Sequence, residues 1–149
     1  MRSAALIAFT LATLFASPVP AWGAFRSIAP EKAVIAAAKA APDGVPGIFK
    51  MTVRAVGHEN GRIFLNSESD YRDQRNLTIA MSEEVEKALE VKIGAVSEQA
   101  FVGRRIFVRG VAQRVRIDFT AGGRPTGKYY YQTHVLVTAP VQVAVKDKL

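Results

Sequence analysis

The sequence predicts a mainly β domain, a small barrel of five strands with one helix between the third and the fourth. Three observations predict it: several stretches of period-two alternation, an Asn-Gly pair between two of them, and one segment of helical period closed by a cap and a glycine. The expected order is β-β-β-α-β-β, preceded by a short N-terminal helix and a signal peptide.

The N-terminus reads as an export signal. Arg2 carries a positive charge, Ala4 to Ala16 is apolar and uncharged, and Ser17, Pro18 and Pro20 break the run before the small residues Ala21, Gly23 and Ala24. A stable membrane anchor needs about 20 apolar residues, more than this run provides. Residues 1–23 are therefore expected to be a Sec-type signal peptide, with an uncleaved anchor as the alternative, and the mature chain to be periplasmic or secreted. Nothing later is apolar for long enough to span a membrane. The chain contains no cysteine, which removes disulfides, thiolate metal sites and cysteine nucleophiles and leaves the hydrophobic core to hold the fold alone.

Residues 24–46 are read as a short helix and linker. Pro30 and Glu31 suit a first helical turn, Val34, Ile35 and Ala38 give it one apolar side, and Ala41 to Gly47 reads as a stop and a turn. Residues 47–149 form the barrel domain. Its first strand alternates Phe49, Met51, Val53 and Ala55 with Lys50, Thr52, Arg54 and Val56. His58-Glu59-Asn60-Gly61 turns the chain, because Asn-Gly supplies the two positive φ angles of a tight hairpin. The return strand, Arg62 to Ser67, places Ile63 and Leu65 on one face and Arg62, Phe64 and Asn66 on the other. A polar loop from Glu68 to Arg75 leads to a third strand, Asn76 to Met81, with Leu77, Ile79 and Met81 on a common face. Ser82 suits a helix cap, Glu83 and Glu84 suit the first turn, Val85, Ala88, Leu89 and Ile93 recur at helical spacing, and Gly94 suits the terminator. A short turn is expected over Ser97 to Phe101. The fourth strand, Gly103 to Ile117, has Gly110 in its middle as an expected bulge or kink. Thr120 to Gly127 reads as a flexible loop, Tyr129 to Thr138 as the closing strand, and Pro140 as a break before Val141 to Val145.

This order matches the OB-fold, a Greek-key barrel with a helix plugging one end. An SH3-like barrel lacks the helix and a sandwich needs more strands. Particular runs also carry a family resemblance: Gly61-Arg62-Ile63-Phe64-Leu65-Asn66, Leu77-Thr78-Ile79, Val102 to Gly110, and Val137 to Val143. They resemble bacterial exported OB-fold domains, found alone or appended to secreted proteins of the staphylococcal-nuclease type, over Gly47 to about Val145. The resemblance implies oligonucleotide or oligosaccharide binding across the second and third strands and their flanking loops. The long Arg114 to Tyr131 excursion departs from the shorter members of that group.

Charge narrows the partners. The formal net charge is +7, and Gln99 to Lys128 holds Arg104, Arg105, Arg109, Arg114, Arg116, Arg124 and Lys128 against the single acid Asp118. A positive region favours polyanions such as single-stranded nucleic acid or an anionic glycan. Catalysis would need a convergent set, and none is assembled. Glu68, Asp70 and Asp73 form the one acidic cluster outside the helix, and loop acids usually just solvate a turn. His58 and His134 have no third ligand at zinc spacing. No metal, cofactor or enzymatic activity is therefore expected. The candidate ligand-binding residues are Arg62, Phe64, Asn66, Tyr71, Thr78, Arg109, Arg124 and Lys128, because single-strand binding uses a basic groove with exposed aromatic faces. Tyr129, Tyr130 and Tyr131 cannot all share one face of a strand, so at least one of them is expected in a structural role. The competing expectations are a binding module for an anionic polymer and an adaptor for a periplasmic protein partner, in either case as a monomer.

Overall fold

The computed structural model describes residues 26–148 other than Val96 and Glu98. The expected export segment, residues 1–23, lies outside the described residues. Helix α1 (Pro30–Ala40) is followed by β1 (Val45–Thr52), β2 (Ala55–Glu59), β3 (Arg62–Asn66), β4 (Leu77–Ser82), helix α2 (Glu83–Ile93), β5 (Arg104–Ala121), β6 (Arg124–Val137), a 3-10 turn (Pro140–Gln142) and β7 (Val143–Lys148). Among the described residues, no helix is long and apolar enough to cross a membrane.

Seven strands replace the five expected. The first breaks at Val53 and Arg54 into β1 and β2, and the chain beyond Pro140 adds β7 alongside β5. The sheet runs β1-β5-β6-β4-β3-β2. Its neighbours are antiparallel except β4 and β6, which run parallel from Leu77↔Thr133 to Met81↔Val137. The two ends of this path, β1 and β2, are consecutive in the chain. At the break, Val53 exchanges backbone bonds with Arg104 and Gly103, while the Arg54 N–H donates to the Asn66 carbonyl. The bend thus carries the chain from pairing with β5 to pairing with β3.

Most local signals act as expected. Asn60 and Gly61 both take positive φ, 51° and 72°, and close the β2–β3 hairpin. The Ser82 hydroxyl accepts from the Val85 N–H, and Gly94 ends α2 in the left-handed region. Leu77, Ile79 and Met81 are fully buried with Ile63 and Leu65 of β3.

Four expectations are corrected. Helix α1 buries Ala33 and Ala37 and leaves Ile35 exposed; the two alanines lie one turn apart on the side packed over β1 and β5, and their small side chains let the helix sit close. On α2, Ala88 is exposed while Glu86 is buried and lies 3.4 Å from His58. Gly110 is no bulge: register runs unbroken through Gly47↔Gly110. A Cβ there would meet the Val135 side chain at 2.6 Å, so the glycine serves close packing of β5 on β6. Finally, Thr120 to Gly127 is mostly strand. Gly122 and Gly123, both at positive φ, make a two-residue turn, so β5 and β6 continue almost to the tip. The irregularity that was expected at Gly110 falls at Asp118/Thr120 instead.

The core joins Phe49, Met51 and Val53 to Phe101, Ile106, Val108, Val135, Val137 and Leu89. It stops along β5 and β6. Beyond Ala112 of β5 and before Thr133 of β6, no described side chain is buried. That outer half of the hairpin rises from the body and walls the site.

Candidate ligand groove

A groove of about 690 Å³ lies between strand β2, the Phe64 side of β3 with Thr78 of β4, the β3–β4 loop and the raised hairpin. Alternation on β3 puts Phe64 and Asn66 on its floor, with Thr78 beside them from β4. Strand β6 adds Tyr130, Gln132 and His134 by the same period of two. Ile117 and Phe119 of β5 stand opposite, and Tyr71 and Arg72 close the loop side.

The aromatic groups form a discontinuous lining. The Phe64 and His134 rings lie 6.1 Å apart, and those of Phe119 and Tyr130 lie 5.2 Å apart, both tilted. Tyr71 is 45% exposed, with the Arg72 guanidinium 4.9 Å from its ring centre. A flat ring with a cation against it is a surface on which a nucleobase can stack.

The polar groups of β6 are chained. The Gln132 amide donates to the Tyr130 hydroxyl at 2.7 Å, and its oxygen lies 2.6 Å from His134 Nε2, which therefore carries the proton. Burial, and after it the positive charge of Arg62, holds His134 below its ordinary pKa and keeps it neutral. Burial raises the Tyr130 phenol, so it too stays uncharged.

Beneath the groove lies a buried polar cluster. Asn66 Oδ1 accepts from Thr78 Oγ1 at 2.8 Å and from Asn76 Nδ2 at 3.0 Å. Asn76 Nδ2 also lies 2.9 Å from Thr78 Oγ1 and 3.4 Å from the Tyr71 carbonyl, while Asn76 Oδ1 accepts from the Glu68 N–H and the Ser67 hydroxyl. One buried amide thereby ties both ends of the loop and its tip to the sheet. Within the loop, Asp70 and Asp73 accept from the backbone N–H groups two residues ahead, Arg72 and Arg75. Asp73 also takes the Arg75 guanidinium at 2.8 Å, and these bonds hold its carboxyl down at about 2. Asp70 and Asp73 thus cap turns, while the Glu68 carboxylate lies 3.9 Å from Arg54. Among the described residues, no three His, Asp or Glu side chains gather as a metal site.

The structure thus brings Phe64, Asn66, Tyr71 and Thr78 together in one groove. Arg62 shares their face of β3, one alternation before Phe64, and is exposed. Arg124 and Lys128 are exposed near the hairpin tip, beyond the groove. Arg109 lies elsewhere: it pairs with Ile48, and eight residues separate it from Ile117, about 26 Å of strand. Of the three tyrosines, Tyr129 and Tyr131 are exposed, Tyr130 is half-buried against Phe119, and none belongs to the core cluster. Sequence reasoning missed His134, Gln132, Phe119 and Arg72. The run Tyr130-Gln132-His134 held the signal, as a second face of the closing strand.

Comparison with known proteins bears on the fold alone. A scan against protein-family models and a search of curated proteins gave no match. One solved structure does match: an aspartyl tRNA synthetase from Entamoeba histolytica. The TM-score is 0.50 at 14% identity, and the alignment covers 97% of this chain and 27% of that one. The chain therefore spans about a quarter of the length of its structural neighbour. The likeness, with the parallel β4·β6 pair and the helix between β4 and β5, makes the fold OB-like.

Proposed function

We propose that this chain is an exported, non-catalytic OB-type module that binds single-stranded nucleic acid in the groove above Phe64. In this reading the bend at Val53 and Arg54 joins the two ends of the strand path and closes a barrel of five strands, with β1 and β2 counted as one. The ligand lies across β3 and β4, between the β2–β3 turn and the β5–β6 hairpin. Export rests on the pattern of residues 1–23.

The observation that carries the reading is the meeting of aromatic rings with cations along one open groove, Tyr71 exposed and Phe64 and Tyr130 half-buried. Phe64, Tyr71 and Tyr130 offer stacking surfaces, and Arg72 and Arg62 offer phosphate partners. Such stacking is worth about 1–3 kcal/mol per base and is indifferent to sequence. Neutral His134 and Tyr130 add no charge of their own to the inner wall of the groove, so a base can pack against them without desolvating an ion there.

The test is fluorescence anisotropy with labelled single-stranded DNA across a salt series, with heparin as competitor. Binding should weaken steeply with salt, and Phe64→Ala with Tyr71→Ala should lower affinity about tenfold or more. Salt-insensitive binding, or full affinity in the double variant, would exclude this groove. Heparin retention without DNA binding would redirect the assignment to an anionic glycan.

A further inference from the structure

The raised hairpin has a second face. Arg116↔Tyr131 and Asp118↔Tyr129 are direct partners across β5 and β6, so these side chains stand together on the side away from Ile117 and Tyr130. Their rings and guanidinium groups interleave. Arg114 lies 3.7 Å from the centre of Tyr131, Tyr131 meets Tyr129 edge-on at 5.6 Å, and Arg116 lies 4.0 Å from the centre of Tyr129. Tyr129 and Tyr131 are 49% and 42% exposed. Arginine against ring and ring against ring make a continuous, half-exposed aromatic and cationic surface.

The ladder walls a groove of about 590 Å³, whose far side is the Val34–Ala38 stretch of α1 and the β3–β4 loop. Charge there is uneven. Asp73 is engaged by Arg75 and Asp118 by Arg116, which leaves Arg72 and Arg114 as the cations facing the cavity. The groove also shares Arg72, Phe119, Tyr130 and Gln132 with the groove above Phe64. The two cavities are neighbours across one ridge of side chains.

We propose that this second groove is an extension of the ligand site, where a single-stranded nucleic acid that fills the first groove crosses the Arg72–Tyr130 ridge and stacks on the Tyr129–Tyr131 ladder. The inference rests on the function proposed above and adds its reach: a site for a long strand, wrapped around the base of the hairpin. Arg114 supplies a phosphate contact and Tyr131 a stacking face.

The experiment compares oligonucleotides of about 4 and about 12 nucleotides, lengths that bracket the footprint of one such domain. For the wild-type chain, the longer strand should bind more tightly, by more than the extra number of registers explains. Its plot of log K against log salt should steepen by about 0.7 for each added phosphate contact. Arg114→Gln and Tyr131→Ala should each remove about tenfold of the 12-mer's affinity and so reduce its advantage over the 4-mer. Equal salt slopes for the two lengths, or a length advantage untouched by both substitutions, would overturn the extension while leaving the first groove in place. Failure of the wild-type chain to bind either length would overturn both. The salt comparison needs no variant, so a misfolded substitution cannot rescue the proposal.

Discussion

Strands β5 and β6 do two different things along their length. At the root, Ile106, Val108 and Ala112 of β5 and Val135 and Val137 of β6 point into the core and are fully buried. Toward the tip the same alternation continues, yet it brings up Arg114 and Arg116 beside Tyr129 and Tyr131 on one face, and Ile117, Phe119 and Tyr130 on the other. Among the described residues, no side chain on either face is buried. The periodicity of a strand sets which side chains stand together; what they meet depends on whether another element lies over them. The root is held by burial, so a change there should cost stability. The tip is held by its hydrogen-bond ladder and cross-strand contacts, so a change there should cost binding and leave the fold alone.

The sharpest way to break this contrast is in the core beside the root, at Phe49 of β1, which pairs with Val108. Phe49→Ala empties a fully buried aromatic site and is expected to cost about 3–5 kcal/mol in urea unfolding. Tyr129→Ala at the tip should stay within about 0.5 kcal/mol of the wild-type chain. Similar losses at both places would mean that the hairpin packs more tightly than its exposure implies. Asn76→Ala sits between the regions. It strips the Asn76 amide donor from Asn66 Oδ1 and Thr78 Oγ1, which keep only each other, leaves the buried Ser67 hydroxyl without its acceptor, and should cost about 1–3 kcal/mol. It also releases the loop that holds Tyr71, so protease cleavage between Glu68 and Arg75 should accelerate; unchanged cleavage would show the loop held by its own turns.

The smallest effect concerns pH. His134 is held below its ordinary value, near 6.5, so the unfolded chain binds a proton that the folded chain refuses. Its contribution is complete above about pH 6.5 and is lost as the pH falls from there toward the depressed value. Unfolding midpoints at about pH 7.5 and about pH 5.5 should therefore differ less in His134→Gln than in the wild-type chain. An equal difference in both would assign the acid sensitivity to other groups.

Legibility in the sequence followed the range of the interactions. Asn60-Gly61, Ser82 and Gly94 act on their own backbone within a few residues, and each does what its chemistry predicts. The alternating strands were equally plain, since period two needs no knowledge of neighbours. Misreadings came where a distant neighbour decides. Gly110 looked like a kink because its reason, the Val135 side chain across the sheet, is 25 positions away. Helix α1 offered its larger side chains as the obvious face, but close packing on the sheet favoured Ala33 and Ala37. Asn66 and Thr78 read as a polar binding surface, but both are buried and their oxygens are spent on each other and on the Asn76 amide. The glycines near the tip suggested a loose loop, whereas a two-residue turn needs both of them to let the strands run on.

The most direct test is a backbone amide NMR titration of the chain with a single-stranded oligonucleotide of about 12 nucleotides. The largest shifts should fall on Tyr71, Arg72, Phe119, Tyr130, Gln132 and His134, extend to Arg114 and Tyr131, and leave Phe49, Val108 and β7 still. Shifts confined to α2 and β7, with Tyr71 and Tyr130 unmoved at saturation, would contradict it.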